Sequence, residues 1–264
     1  MPGSLLRSKP AGTPEGPQIS IRELDVLQPA LDPIAALLDA ACRPYRSAGR
    51  FAYKFACGKL GRDPVFRAIL ELGLLQERPR ILDLGCGQGL LAAWLQAAAR
   101  FCELGQWRSD WPPAPQPFSI RGIELMARDV ERARRALGAG SGVERGDIRS
   151  AEFGAADAVV ILDVLQYMDL DAQRQVLERV RAALSSGGLL LLRVCDAGGG
   201  LRFNYTQWVD KAVMLARGHS LLTTHSRTIS QWRKVLQQCG FDSQPKPMSK
   251  GTPFANVLLI AHAR

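Results

Sequence analysis

Three closely spaced glycines and four carboxylates are the residues of this chain best suited to chemistry. The segment Asp83-Leu-Gly-Cys-Gly-Gln-Gly89 places glycines at 85, 87 and 89, two residues after an acid. Glycine adopts positive φ and leaves no Cβ in the way of a ligand. From Leu90 the run Leu-Leu-Ala-Ala-Trp-Leu-Gln-Ala-Ala-Ala forms helix readily. Its first turn would point unpaired N–H groups back at the glycines, where a ligand's anionic group could sit. A dinucleotide fingerprint needs G-x-G-x-x-G. Here the third glycine comes one position early, and Leu90 stands in the last glycine's place. Glu124 ends a later apolar segment, Phe118 to Glu124, and a carboxylate there can accept from both hydroxyls of a ribose. Cys86, inside the turn, is expected to neighbour the ligand rather than to act as a nucleophile.

Groups able to take a proton lie further along. Tyr167 and Asp163 follow one apolar run, Asp196 follows the next, and Tyr205, His219 and His225 lie in a less regular segment. A histidine or carboxylate can act as a general base only within reach of the proton it removes. Each of these candidates also has a plainer use: Tyr167 can pack, Asp196 can cap a turn, and loop histidines can face solvent.

The elements that must position these groups alternate. Ile81, Leu82 and Leu84 form a short buried strand bounded by Pro79 and Gly85. Phe118–Glu124, Gly142–Ile148, Ala156–Leu162 and Leu189–Val194 read as further strands, and 126–137 and 171–184 as helices. Ser185-Ser-Gly-Gly188 reads as a helix C-cap. A strand–helix order repeated five times predicts a parallel sheet with helices on both faces. In the last third, 209–217 and 228–239 read as helices, the latter capped near Ser230. Phe241–Pro247 and Asn256–Ala261 read as closing strands. The fold class expected is α/β.

Residues 1–18, rich in Pro and Gly, are expected to be a disordered tail, and 19–26 to be a short apolar-alternating piece. Asp32-Pro33 and Asp63-Pro64 signal helix starts, so 19–77 is expected to be a helical cap. Between those signals Arg50, Lys54, Lys59 and Arg62 interleave with Phe51, Tyr53 and Phe55. Packing is the expectation for Phe51 and Phe55. Residues 101–117, with Trp107, Trp111 and four prolines, form an unusually long connection, either a surface loop with its own small core or a binding element.

Composition narrows the classes. The chain has 264 residues, 47 % hydrophobic and 22 % charged, as in folded soluble domains. No apolar run approaches the roughly 18 residues of a membrane span, and no secretory signal pattern is present, so a cytoplasmic location is expected. The six cysteines form no C-x-x-C pair, which argues against zinc; reduced, buried thiols are expected and no metal. A formal charge of +9 suits an acidic partner or an Arg-rich solvated surface. Arg128, Arg132, Arg134 and Arg135 are expected to be solvated, with Glu131–Arg135 a helical pair.

Asp83 to Gly89, Glu124, Gly146-Asp147-Ile148 and Asp163-Val-Leu-Gln-Tyr167, in that order, resemble the motifs of class I S-adenosylmethionine-dependent methyltransferases. The resemblance covers roughly 78–264, taken as the methyltransferase domain. It implies a Rossmann-like sheet of seven strands with the last antiparallel, an N-terminal helical lid, and S-adenosylmethionine as cofactor. By that resemblance Asp83, Gly85, Cys86, Gly87 and Gly89 would hold the methionine part. Glu124 and Leu125 would meet the ribose, Asp147 and Ile148 the adenine, and Asp163 and Val164 the remaining wall. Residues 46–62 would be the lid, and carboxylates are welcome near the sulfonium while Lys is not.

The acceptor is less determined. The fourth motif lacks the Asn-Pro-Pro-Tyr type used on base amino groups, and no Pro-Cys motif is present, so nucleic acid is disfavoured. The Arg-Phe-Ala-Tyr-Lys-Phe segment resembles bacterial methyltransferases of aryl-polyene and fatty-acid-like pathways. That implies a small-molecule acceptor, aromatic or bound to an acidic acyl carrier protein. An RNA methyltransferase and a non-catalytic S-adenosylmethionine-binding protein are the alternatives.

Overall fold

In the computed structural model the described residues are 32–116, 118–206, 208 and 224–264. The expected tail 1–18, the piece 19–26, the helix 209–217 and His219 lie outside them. Seven strands form one sheet in the order β3-β2-β1-β4-β5-β7-β6. These are β1 (Arg80–Leu84), β2 (Ser119–Glu124), β3 (Val143–Arg145), β4 (Ala156–Leu162), β5 (Leu184–Cys195), β6 (Phe241–Pro247) and β7 (Asn256–Ala263). β1 to β5 run parallel, and β7 is antiparallel to both of its neighbours, β5 and β6.

The strands alternate between two cores. Ile81, Ala158, Val160, Leu189 and Leu191 pack on one face. Leu82, Leu84, Val159, Ile161, Leu190 and Leu192 pack on the other. A period of two with both sets apolar is what a sheet covered on both faces requires. The first face is covered by α1 (Pro33–Cys42), α2 (Arg50–Arg62), α3 (Pro64–Glu71) and α4 (Leu90–Glu103). The second is covered by α6 (Leu170–Ala183) and α7 (Ile229–Gln238). α5 (Ala127–Leu137) sends Val130 and Ala133 into a small third cluster with Cys86 and Val143.

The helix starts follow local chemistry. Asp63 caps α3 by accepting from Val65 N at 3.2 Å, ahead of Pro64. Asp169 caps α6 through Ala172 N at 2.8 Å. Thr228 and Gln231 form a reciprocal capping box on α7, so the cap is Thr228 rather than Ser230.

Three expectations need correction. Residues 185–188 are part of β5, not a helix C-cap; the pairing with β4 jumps from Ala156–Leu184 to Ala158–Leu189, so the extra residues bulge out of the ladder. Between β3 and β4 the described residues form turns, not a helix. Their carbonyls are met by arginines: Arg121 Nη1 donates to Phe153 O at 2.8 Å and Arg179 Nη1 to Ile148 O at 2.9 Å. Phe51 is 62 % exposed instead of packed inside; its ring stacks on Phe55 at 6.1 Å and lies 4.5 Å from the Arg132 guanidinium.

The connection after α4 has its own small core. Trp107 and Trp111 meet edge to face at 5.6 Å, Trp107 Nε1 donates to Pro112 O at 2.9 Å, and Trp111 is buried.

Candidate active site

The chain runs β1, β2, β3 outward in one direction and then resumes at β4 on the other side of β1. That makes the carboxyl ends of β1 and β4 a topological switch point, where open α/β sheets bind ligands. The glycine turn leaves β1 at this crevice. Gly85, Gly87 and Gly89 have φ of +74°, +56° and +77°. Gly85 N donates to Ile123 O at 2.8 Å, tying the turn to β2. A Cβ on Gly85 would lie 2.3 Å from Val164 Cγ2, whereas one on Gly87 meets nothing within 4 Å. Gly85 is thus needed for packing against the β4 exit, and Gly87 borders open space.

Glu124, buried at the end of β2, accepts from Gly87 N at 2.9 Å and from Met126 N at 2.8 Å. Its carboxylate therefore lies against the turn. Asp83 is buried one strand over; burial and the Glu124 charge push its carboxyl up to about 7. Cys86 turns its thiol onto Gly122, whose added Cβ would meet Sγ at 2.6 Å. Burial pushes that thiol well up, so it is a packing group and a poor nucleophile. The six cysteines are all free.

Leu125 is half exposed beside Glu124, and Ile148 is buried in the second core. Asp147 binds Arg149 through both carboxylate oxygens, Nη2–Oδ2 being 2.5 Å; that ion pair holds it below the usual carboxylate range.

Two residues that the sequence pattern does not single out tie the N-terminal helices to the turn. Tyr45, fully buried, donates its hydroxyl to Gln88 O at 2.9 Å. Gln88, also buried, donates through Nε2 to Ala52 O of α2 at 2.9 Å. Its Oε1 is buried with no hydrogen-bond partner among the described residues.

At the end of β4 stands a cluster of four charges. Asp163 has φ +60°, rare for a non-glycine residue. Arg193 of β5, with no exposed surface, donates Nε to Asp163 Oδ1 at 2.7 Å and Nη1 to Asp63. Lys59 lies 2.7 Å from Asp63 and 3.3 Å from Asp163. Burial alone would raise both carboxyls, but Arg193 and Lys59 outweigh it and hold Asp63 at about 2 and Asp163 below its usual range. Arg193 was visible in the sequence as the single charge inside Leu-Leu-Leu-Leu-Arg-Val-Cys. A charge in a buried strand needs partners.

The base candidates separate. Asp196 Oδ1 accepts from Gly198 N at 2.9 Å and Ile229 N at 3.2 Å, which makes it a turn-holding group. The backbone N–H of His225 donates to Gln166 O. Tyr167 ends a 3-10 turn, Leu165–Tyr167, just past Asp163. Tyr205 is 5.8 Å from the Phe254 ring and 6.4 Å from that of Trp208, beyond the carboxyl end of β5.

Residues 59–244, more than half of the chain, match the family described as "Methyltransferase domain". The chain belongs to that family. Carboxy-S-adenosyl-L-methionine synthase of Chromohalobacter salexigens is 34 % identical over 131 residues, 46 % of this chain and 43 % of that protein. The match thus spans less than half of that relative. Human N-acetylserotonin methyltransferase, solved with S-adenosylmethionine, has a TM-score of 0.54 at 18 % identity, covering 89 % of this chain and 60 % of that one. Magnesium protoporphyrin IX methyltransferase of Synechocystis PCC 6803, solved with bound S-adenosylhomocysteine, has 0.54 at 16 % identity, covering 87 % and 97 %. The fold is that of class I S-adenosylmethionine-dependent methyltransferases, the family's cofactor being S-adenosylmethionine.

The residues at the crevice fit that group. Gly87 leaves open space that a Cβ would fill. Glu124 offers a buried acceptor for a hydroxyl donor, and the Glu124 and Asp163 carboxylates suit a cation. No helix among the described residues is long and apolar enough to cross a membrane.

Proposed function

We propose that this chain holds S-adenosylmethionine at the β1–β4 crevice and transfers its methyl group to an acidic, aromatic small molecule, free or on an acyl carrier protein. The cofactor supplies an already activated methyl carbon. In-line displacement then needs mainly positioning, so no strong base is required. The glycine turn takes the methionine part, Glu124 the ribose hydroxyls, and Asp147 and Ile148 the adenine side. Asp147 would exchange Arg149 for the adenine amino group. Tyr167 and Tyr205 are the groups proposed to assist proton loss.

The observation that carries the acceptor class is the charge of the cap. Between 43 and 62 there are six bases and no acid; Arg43 and Lys59 pair with the flanking Asp39 and Asp63, which leaves Arg46, Arg50, Lys54 and Arg62, and the amino-terminal end of α2 bears on the glycine turn through Gln88. Tyr205, Trp208 and Phe254 add an aromatic wall on the β5 side. A basic helical segment together with an aromatic cluster favours an aromatic acid or an acidic carrier over a neutral substrate. Labelled S-adenosylmethionine should methylate members of an arylcarboxylate panel, free or loaded on carrier protein. Label transfer confined to RNA would refute this reading.

The relationship to the Chromohalobacter protein favours a second reading, in which the cofactor itself is converted to a carboxylated form. Mass analysis of the nucleoside product decides: S-adenosylhomocysteine supports methyl transfer, a carboxylated S-adenosylmethionine the second reading.

A further inference from the structure

The four-charge cluster Lys59–Asp63–Arg193–Asp163 stands at the same crevice, and its members are not held equally. Arg193 has no exposed surface and grips both carboxylates, one from α3's cap and one from the end of β4. Lys59 differs. Its side chain is 34 % exposed, it is closest to Asp63 at 2.7 Å, and it reaches Asp163 at the longer 3.3 Å. It can therefore give up Asp163 and keep an ion pair with Asp63.

Asp163 is the carboxylate of the cluster that borders the crevice. It directly precedes Val164, which packs on Gly85 of the glycine turn. Its left-handed backbone, φ +60°, persists because surrounding contacts impose it. With two carboxylates and two cations, the cluster is neutral as it stands. A positively charged ligand at the crevice would add a third cation, and the loosest of the existing ones is Lys59.

We propose that Lys59 is a specificity-determining residue for the charge of the cofactor. It neutralises Asp163 until a sulfonium enters the crevice, then yields that carboxylate and rests on Asp63. The neutral product, S-adenosylhomocysteine, does not replace Lys59, so Lys59 returns to Asp163 once the methyl group has left. The inference rests on the assignment of S-adenosylmethionine to this crevice. It explains how a lysine can stand where the cofactor's positive charge would otherwise exclude one.

The test is calorimetric binding of S-adenosylmethionine and S-adenosylhomocysteine to the full chain, wild type and two variants. Lys59→Met leaves Asp163 less compensated and should shift the affinity ratio toward S-adenosylmethionine by about tenfold, the scale of one partly screened charge interaction. Asp163→Asn leaves two cations, Lys59 and Arg193, against the single carboxylate of Asp63 and should shift the ratio by a similar factor toward S-adenosylhomocysteine. Lys59→Arg should restore the wild-type ratio. Loss of a merely structural contact would weaken both ligands together, so an unchanged ratio in Lys59→Met overturns the proposal, as does a shift of both variants in one direction. If wild type binds neither ligand, the cofactor assignment itself fails, a result separable from the others. Should Lys59→Met not fold, Asp163→Asn alone carries the test: a ratio that stays put overturns the proposal.

Discussion

Replacing Asp83 by Asn should flatten the pH dependence of folding stability and raise stability at alkaline pH. Asp83 is 5 % exposed, and burial together with Glu124 moves its carboxyl from 3.8 to about 7. The folded state thus binds this proton more tightly than the unfolded chain. Between about pH 4 and pH 7 the folded protein keeps a proton that the unfolded chain releases, so stability falls as pH rises through that window. A pKa difference of about 3, at about 1.4 kcal/mol each, sets the loss at about 4 kcal/mol once pH exceeds the folded value. Asp63 acts in the opposite sense. Its folded value of about 2 contributes stability above pH 4 that is lost only as pH falls toward 2. Urea unfolding from pH 4.5 to 8.5 therefore follows Asp83 apart from Asp63, the buried thiols adding a smaller loss near pH 8.5 in both proteins. Wild type should lose stability across this range, and Asp83→Asn should lose much less, exceeding wild type at pH 8.5 by up to about 4 kcal/mol. Parallel curves for the two proteins, or a variant less stable at pH 8.5, would refute the claim that a buried, destabilised carboxylate sits beneath the glycine turn.

Glu124→Ala should weaken S-adenosylmethionine binding at least about tenfold by calorimetry, since it removes a buried acceptor at the proposed ribose position; unchanged affinity would remove Glu124 from the site. Gly87→Ala should fold with a loss of only about 1 to 2 kcal/mol for its left-handed φ, because its Cβ meets nothing, yet bind the cofactor poorly. Gly85→Ala should lose more stability than Gly87→Ala in urea unfolding, since its Cβ would meet Val164 at 2.3 Å. Equal losses would show that Val164 does not wedge the turn. Tyr45→Phe removes the hydroxyl bond to Gln88 O and should cost about 1 kcal/mol in the same assay.

Where the chain was legible, one local signal sufficed. β4 was readable to its last residue because Ala-Asp-Ala-Val-Val-Ile-Leu is apolar, β-branched and stopped by Asp163. α3 was readable because Asp63-Pro64 is a cap before a first-turn proline. The glycine turn and Glu124 were readable as a spaced pattern, and the fold sets them within one hydrogen bond of each other. Ser185–Gly188 was misread because Gly-Gly after a helix is a frequent stop, while here the chain stays extended and spends the surplus residues in a bulge against β4. That choice depends on a neighbouring strand 28 residues away (Ala156 to Leu184), which no local pattern encodes.

The charge cluster marks the harder limit. Asp63 reads as a helix cap, Asp163 as a motif acid, and Lys59 as one of several bases interleaved with aromatics. Each description is correct locally, since Asp63 does cap α3 while it binds Arg193. What sequence order does not carry is that residues 59, 63, 163 and 193 meet at one point. That meeting follows from β4 and β5 being neighbours with their carboxyl ends beside the α2–α3 junction. The consequence reaches the chemistry. A lysine near a sulfonium is unfavourable only if its charge is uncompensated, and here two carboxylates share it. A residue that a list of cofactor contacts would reject becomes one able to respond to the cofactor's charge.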